Sequence, residues 1–291
     1  MKKISIIIVT YNSLSDINNC INSIYQYSDI SLEMLEIIVV DNSSREVFEE
    51  MQIRVLENYS NIKFIHNEKN RGYGQGNNVG IRSCQSEIIC IINPDVMLTS
   101  NMFSHVIKIF ADKPDLAVVG GKQSGGIDLS FWIRPEYEFF LITTPLMLFL
   151  NFFNIYTARY FFLSGALLFL DNKKFKEIGF FDENIFLYRE ESDIQKRFLN
   201  KKYKCYFEKK LTYRHLIDER KETSDFSFIE EMKSTQYYMN KYSFNFNRFL
   251  SQRILYAKVM SFISKITLND KKYLYFAGNV NKLNAIKTNL L

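Results

Sequence analysis

The stretch CIINPDVMLTS, residues 90–100, decides the fold. The apolar run Ile88–Ile92 stops abruptly at Asn93-Pro94-Asp95. A continuous run of this kind reads as a strand buried on both faces. Proline fixes φ and lacks a donor, so the chain leaves the sheet there and a single carboxylate stands at the strand's end. Two earlier runs end the same way: Ile4–Val9 runs into TYNS (10–13), and Leu35–Val40 into DNSS (41–44). Ile62–His66 and Leu116–Gly120 complete five strands, with Glu87–Ile92 the fourth. Between them, Asp16–Tyr27, Val47–Leu56, Gly76–Ser83 and Met102–Ala111 carry helical patterns. Strand and helix thus alternate from residue 4 to 120. This predicts an α/β fold with a doubly wound, mostly parallel sheet, whose ligands sit beyond the carboxyl ends of the strands.

The alternation lapses after residue 121. FFLSGALLFL (161–170) reads as one more buried strand, and NKKFKEIG (172–179) as a helix stopped by Gly179. An acidic cluster follows at a helix start, LYREESDIQKR (187–197). Residues 226–270 turn helical, basic and aromatic, with a poorly determined tail after them. The expected division is a catalytic domain over 1–225 and a helical region over 226–291. FFLITTPLMLFLNFF (139–153) is intensely apolar, but it is interrupted by Pro145 and falls short of the roughly 20 residues a bilayer span needs. It reads as a helical insertion, buried or touching a membrane.

Composition narrows the classes further. A 47% hydrophobic content supplies a sizeable core, and 24% charged residues argue against disorder. A net charge of +5 is too weak to imply nucleic acid, yet suits anionic small molecules or an acidic lipid surface. Cys20, Cys84, Cys90 and Cys205 form no CxxC pair, which reads as reduced, buried thiols of a cytoplasmic protein. Ile4–Val9 is too short for the core of a secretion signal.

Several clusters could carry chemistry. Asp95 could hold a divalent cation, because Mg²⁺ takes one or two protein carboxylates and completes its shell with substrate phosphates. An ordinary turn aspartate is the alternative. Asp41 could accept hydrogen bonds from a nucleobase or ribose, or cap the following helix. NRGYGQGNNVG (70–80) is glycine-rich, and reads as a flexible polar loop that lets backbone approach a diphosphate. Its GxGxxxG pattern follows the third strand rather than the first, and no acidic residue stands in the ribose-binding position, which disfavours a nicotinamide-dependent dehydrogenase. Glu190, Glu191 and Asp193 either favour a helix N-terminus, with Asp193 paired to Arg197, or raise one another's pKa for general base work. His66 and His105 read as structural.

In order along the chain, IIIVTYNS (6–13), IIVVDNSS (37–44), NRGYGQGNNVGI (70–81), INPDV (92–96), LSGALLFL (163–170), EIGFFDENIFLYREESDIQKR (177–197) and His215 resemble a family 2 glycosyltransferase with the GT-A fold. The resemblance is greatest to the rhamnosyltransferase-like branch that builds bacterial surface polysaccharides such as O-antigen or capsule. It implies that Thr10, Tyr11, Asn12 and Asp41 contact the nucleoside, and that Asn70, Gly72 and Asn77 line the donor side. Asn93-Pro94-Asp95 would stand for the family's Asp-x-Asp element, with Asn93 replacing the first Asp. Asp95 and His215 would then bind Mg²⁺ or Mn²⁺. The family's Glu-Asp pair is Glu190-Glu191 here. Glu191 is the expected base, with Glu190 the alternative.

The implied activity is inverting, metal-dependent transfer of a sugar, rhamnose favoured, from a nucleotide diphosphate donor to a glycan acceptor on a polyprenyl diphosphate. UDP-hexose donors, and a non-catalytic nucleotide-sugar binder, are the competing readings. The setting implied is cytoplasmic, at the inner face of the cell membrane. Residues 139–158 and the C-terminal helices would touch the membrane, or else form a buried insertion and a homodimer contact.

Overall fold

The computed structural model describes residues 2–125, 129–216 and 225–288. Strands β1 (Ile4–Thr10), β2 (Leu35–Asp41), β3 (Ile62–His66) and β4 (Ile88–Ile92) alternate with helices α1 (Ile17–Gln26), α2 (Arg45–Leu56) and α3 (Tyr73–Arg82). Then come β5 (Val96–Leu98), α4 (Phe103–Asp112), β6 (Leu116–Ser124), β7 (Phe131–Ile133), α5 (Phe140–Phe152), β8 (Phe161–Leu163) and β9 (Leu167–Asp171). Helices α6 (Asn172–Glu177) and α7 (Glu190–Asn200), strand β10 (Lys204–His215), and helices α8 (Asp225–Lys241), α9 (Phe246–Ile266) and α10 (Asp270–Thr288) complete the chain.

Eight strands form one sheet in the order β3-β2-β1-β4-β9-β6-β10-β5. The first four are parallel, as the continuous Ile/Val runs require: every residue of β1 and β4 is buried. Burying one such side chain stabilises the fold by about 1.5–3 kcal/mol. The register aligns Thr10 with Asp41, and Asp41 with His66, so the polar residues after these runs gather on one rim. Beyond β4 the pairing changes. β9 runs antiparallel to both β4 and β6, β10 runs parallel to β6, and β5 lies antiparallel to β10.

Four expectations change. Residues 161–170 are not one strand: β8 pairs with β7 in a two-stranded sheet, and the chain breaks at Ser164-Gly165-Ala166 before β9. The glycines of 70–80 lie largely inside α3 rather than in a loop. A Cβ on Gly76 would meet Val9 Cγ1 at 2.8 Å, and one on Gly80 would meet Ile7 Cγ2 at 2.6 Å. They let the helix lie close on β1. After Asn93-Pro94-Asp95 the chain does leave β4, but it re-enters the sheet at once as β5. The segment after residue 270 is a 19-residue helix rather than an indeterminate tail.

By compactness the chain divides into Met1–Trp132 with Tyr156–Ser234, and Ile133–Ile155 with Thr235–Leu291. Residues 133–155 therefore group with the C-terminal helices. In the smaller unit α9 and α10 pair as a helical hairpin. Among the described residues no helix is long and apolar enough to cross a membrane. The four cysteines are free and buried.

Candidate active site

The rim at the ends of β1 and β2 is built around Asp41. Thr10 donates its hydroxyl to Asp41 Oδ1 at 2.7 Å, and Ser43 does so at 2.9 Å. The Asn12 backbone N–H donates to Ser43 Oγ at 2.8 Å, with Asn12 in the left-handed region at φ 53°. Two donors thus fix one carboxylate oxygen, while Oδ2 is buried without a partner. A buried carboxylate oxygen left open is costly unless something fills the place, so Asp41 can accept one more hydrogen bond, from a water or a ligand. It does not cap a helix, because Ser44 is the residue at the start of α2. Of the residues expected to touch a nucleoside, Tyr11 is exposed, whereas Thr10 is buried and acts by holding Asp41.

Asn70 shapes the entry to α3 by accepting from the Gly72 N–H at 3.0 Å. Gly72 has φ 97°, and a Cβ there would strike Phe186 O at 2.0 Å, so only glycine fits. The next residue, Tyr73, donates its N–H to the same Phe186 carbonyl at 3.0 Å. Asn77 is wholly buried, with Nδ2 on the Tyr73 carbonyl at 3.0 Å and Oδ1 without a partner. Asn70, Gly72 and Asn77 therefore organise the start of α3.

Asp95 is positioned by the turn that joins β4 to β5. The Val96 N–H bonds back to Asn93 O, and the Asn93 N–H to Ala166 O. β5 pairs with the end of β10, where Val96 faces His215. His215 Nε2 then stands 3.2 Å from Asp95 Oδ1, and its Nδ1 stands 3.4 Å from Gln123 Oε1. Each ring nitrogen faces an acceptor oxygen, and the ring can place its hydrogen on Nδ1, toward the Gln123 amide, or on Nε2, toward the carboxylate; cation binding needs the first form. Nε2 then presents a lone pair beside a carboxylate oxygen. Two acceptors this close call for a proton or a cation between them, and the partner on the far ring nitrogen is how metal-binding histidines are oriented. Asp95 and His215 thus fit a divalent cation with two protein ligands and substrate phosphates for the rest. Among the described residues no group of three or more His, Cys, Asp or Glu is arranged for a metal.

A second set of acids stands in the first turn of α7. Tyr188 and Arg189 both hold left-handed backbone, φ 69° and 76°, immediately before the helix. Such conformations are strained for non-glycine residues and persist where the surroundings enforce them. Glu190 is nearly fully buried and its Oε1 has no partner. Glu191 is half-buried and lies on the break between β8 and β9. Asp193 is occupied structurally: Arg197 Nε donates to it at 2.8 Å, as the i+4 spacing predicts.

Tyr73 links the two sets. Its hydroxyl donates to Gly165 O at 3.2 Å. Burial pushes the Tyr73 phenol well above its ordinary range, the charge of Glu191 adds to that, and those of Glu190 and Asp95 act in the same direction, with the Asn77 amide opposing. One phenol thus feels carboxylates from the β4 turn and from α7. Burial likewise raises Glu190 well above the carboxylate range, with the Glu191 charge next, and burial raises Glu191. Glu190 is the more enclosed of the two, and Glu191 the more accessible.

Residue-type reasoning passed over Tyr73, Gly165 and Gln123. Gly165 carried a signal, because a lone glycine inside an apolar run often marks close backbone approach. Tyr73 and Gln123 carried none, since their partners lie 92 residues away at Gly165 and 92 residues away at His215.

Solved structures share this architecture at low identity. The mannosyltransferase PcManGT from Pyrobaculum calidifontis, in complex with GDP-Man and Mn²⁺, superposes with a TM-score of 0.60 at 17% identity, covering 80% of this chain and 61% of that one. S. aureus TarS 1–349 in complex with UDP gives 0.56 at 19%, covering 80% and 64%. The fold is the GT-A fold. The hexosyltransferase Agl10 of low-salt glycan biosynthesis in Haloferax volcanii is 28% identical over 198 residues, 66% of this chain. The chain spans 60% of the length of that relative. The model of glycosyl transferase family 2 matches residues 5–194, well over half of the sequence, and the chain belongs to that family.

Proposed function

We propose that this chain is an inverting glycosyltransferase that moves a sugar from a nucleotide diphosphate donor to a growing bacterial polysaccharide. The observation that supports the reading is the Asp95–His215 pair, 3.2 Å apart at the end of β4, together with a rim where Asp41 keeps one buried oxygen open. Asp41 accepts from the nucleoside, with Tyr11 and Asn12 flanking it and Thr10 and Ser43 holding it. Asn70, Gly72 and Asn77 shape the donor side from the start of α3, and Asn93 sets the turn that presents Asp95. Asp95 and His215 would hold Mg²⁺ or Mn²⁺, and the ion, when bound, would offset charge developing on the leaving diphosphate.

Glu191 takes the proton of the acceptor hydroxyl as it attacks the anomeric carbon from the face opposite the leaving group. Its raised pKa suits a base working near neutral pH. Burial beside Glu191 makes Glu190 slow to give up its proton, which disfavours a second negative charge next to the base. Fixing the two substrates in line supplies a further part of the rate. Rhamnose on a dTDP carrier is the favoured donor, with UDP- and GDP-hexoses its competitors. The acceptor is a glycan on a polyprenyl diphosphate, which sets the enzyme to work at the cytoplasmic face of the membrane.

A thermal-shift screen of nucleotide sugars, each with and without Mn²⁺, tests the reading. A true donor at about 100 times its Kd should add about 2.7 kcal/mol of stability. No shift with any nucleotide sugar in the presence of Mn²⁺ would remove the proposal.

A further inference from the structure

Helix α5 has its polarity reversed. The face that turns inward carries Phe140, Thr144, Met147 and Asn151. The Phe140 ring packs on Phe249 at 5.4 Å and Tyr256 at 5.9 Å, Thr144 is half-buried on the same side near Tyr256, and Met147 and Asn151 are buried. The opposite stripe is wholly apolar and open: Ile142, Leu146, Phe149 and Phe153 at helical spacing, with Phe152 78% exposed beside them. An ordinary surface helix presents its polar side to water. Here two of the four inward positions are polar and none of the outward ones is, which marks a surface built to meet something apolar.

The same unit, residues 133–155 and 235–291, carries ten Lys or Arg against three Asp or Glu, a formal +7, where the whole chain is only +5. The turn between α9 and α10 repeats the theme. Phe262, Ile266, Leu268 and Leu274 are exposed there, interleaved with the exposed Lys265 and Lys272. Exposed apolar side chains set among lysines fit a surface with an apolar interior and an anionic skin. A second copy of the chain would instead bring +7 against +7. We infer that the exposed face of α5 and the basic hairpin α9–α10 bind an anionic lipid surface. The exposed aromatic and aliphatic side chains enter the acyl boundary, while the lysines meet phosphate headgroups. The inference stands apart from the transferase reading, because its readout is vesicle binding.

The test is flotation of the full chain with vesicles of phosphatidylcholine alone, and of phosphatidylcholine with about one part in three of phosphatidylglycerol. Binding should appear on the anionic vesicles, be at least tenfold weaker on the neutral ones, and fall in about 0.5 M salt, where screening is short-ranged. Phe149→Glu/Phe152→Glu should abolish flotation. Both side chains are exposed, so the melting temperature and the nucleotide-sugar shift should be unchanged. Absence of binding to either vesicle, or equal and salt-insensitive binding to both, overturns the inference. So does light scattering that shows a dimer broken by the double variant without vesicle binding by the parent, since a second copy would then cover the face.

Discussion

Glu191 lies against the backbone of Gly165 so closely that a Cβ at residue 165 would stand 1.8 Å from Glu191 Oε1. The clashing atom is the far end of a flexible side chain, so the carboxylate, not the fold, would yield. Gly165→Ala should therefore cost little stability, under about 1 kcal/mol, while lowering kcat about a hundredfold, the scale of a 1 Å misplacement. Thermal melting and initial rates on the same preparation check this. A variant that melts far below the parent would mean that Gly165 serves packing instead.

Gly80 gives the contrasting case. A Cβ there would meet Ile7 Cγ2 at 2.6 Å and Val40 Cγ2 at 3.1 Å, deep between α3 and the parallel strands. Neither neighbour can swing away in so dense a core. Gly80→Ala should destabilise by about 1–3 kcal/mol, the usual cost of overpacking, with activity per folded molecule retained. Denaturant unfolding followed by activity assay separates the two effects.

Glu190 should carry a stability cost. Burial and the neighbouring Glu191 hold its folded pKa above the unfolded one. As pH rises, the unfolded chain gives up this proton first. The group is therefore neutral in effect below about pH 4.3 and increasingly destabilising above it, up to its raised folded value. Glu190→Gln removes that penalty. Its melting temperature should match the parent near about pH 4 and exceed it at about pH 7. A variant no more stable than the parent at neutral pH would contradict the assignment.

Glu191→Gln should keep the donor-induced thermal shift and lose about 10²–10⁴ in kcat, the range for general base removal. Retained turnover in this variant, with loss in Glu190→Gln, would move the base to residue 190.

Asp95→Asn should weaken the Mn²⁺-dependent part of the donor shift while leaving the apo protein folded. Gln123→Ala should reduce the same part more mildly, about 10–100-fold in metal affinity, because it acts through the His215 ring. Calorimetric titration of Mn²⁺ with nucleotide diphosphate present reads both. Unchanged affinity in Asp95→Asn would separate Asp95 from the cation.

The parallel half of the sheet was legible because its cause is local. Ile4–Val9, Leu35–Val40 and Ile88–Ile92 are buried on both faces, and that demands unbroken apolar runs whatever surrounds them. The polar residues that end those runs, Asp41 and Asp95, could be located for the same reason. The antiparallel half was harder. β9 and β10 insert between strands distant in sequence, and nothing in 161–170 announces a break except one glycine. The glycines of α3 misled for a physical reason, because a residue without a side chain suits a flexible loop and a closely packed helix equally well.

What the sequence determined by itself is the parallel strands β1 to β4, the acids at their ends and the family. The strands and the acids rest on spacing over fewer than about a dozen residues, the reach of local patterning, and the family on a resemblance carried by short motifs in order from residue 6 to 215. What only the tertiary structure decided is which groups meet. The Tyr73 hydroxyl reaches the Gly165 carbonyl, Glu191 rests on that same glycine, His215 stands at Asp95, and the polar side of α5 faces inward. Such contacts depend on the path of the backbone between their members, and no short window of residues encodes that path.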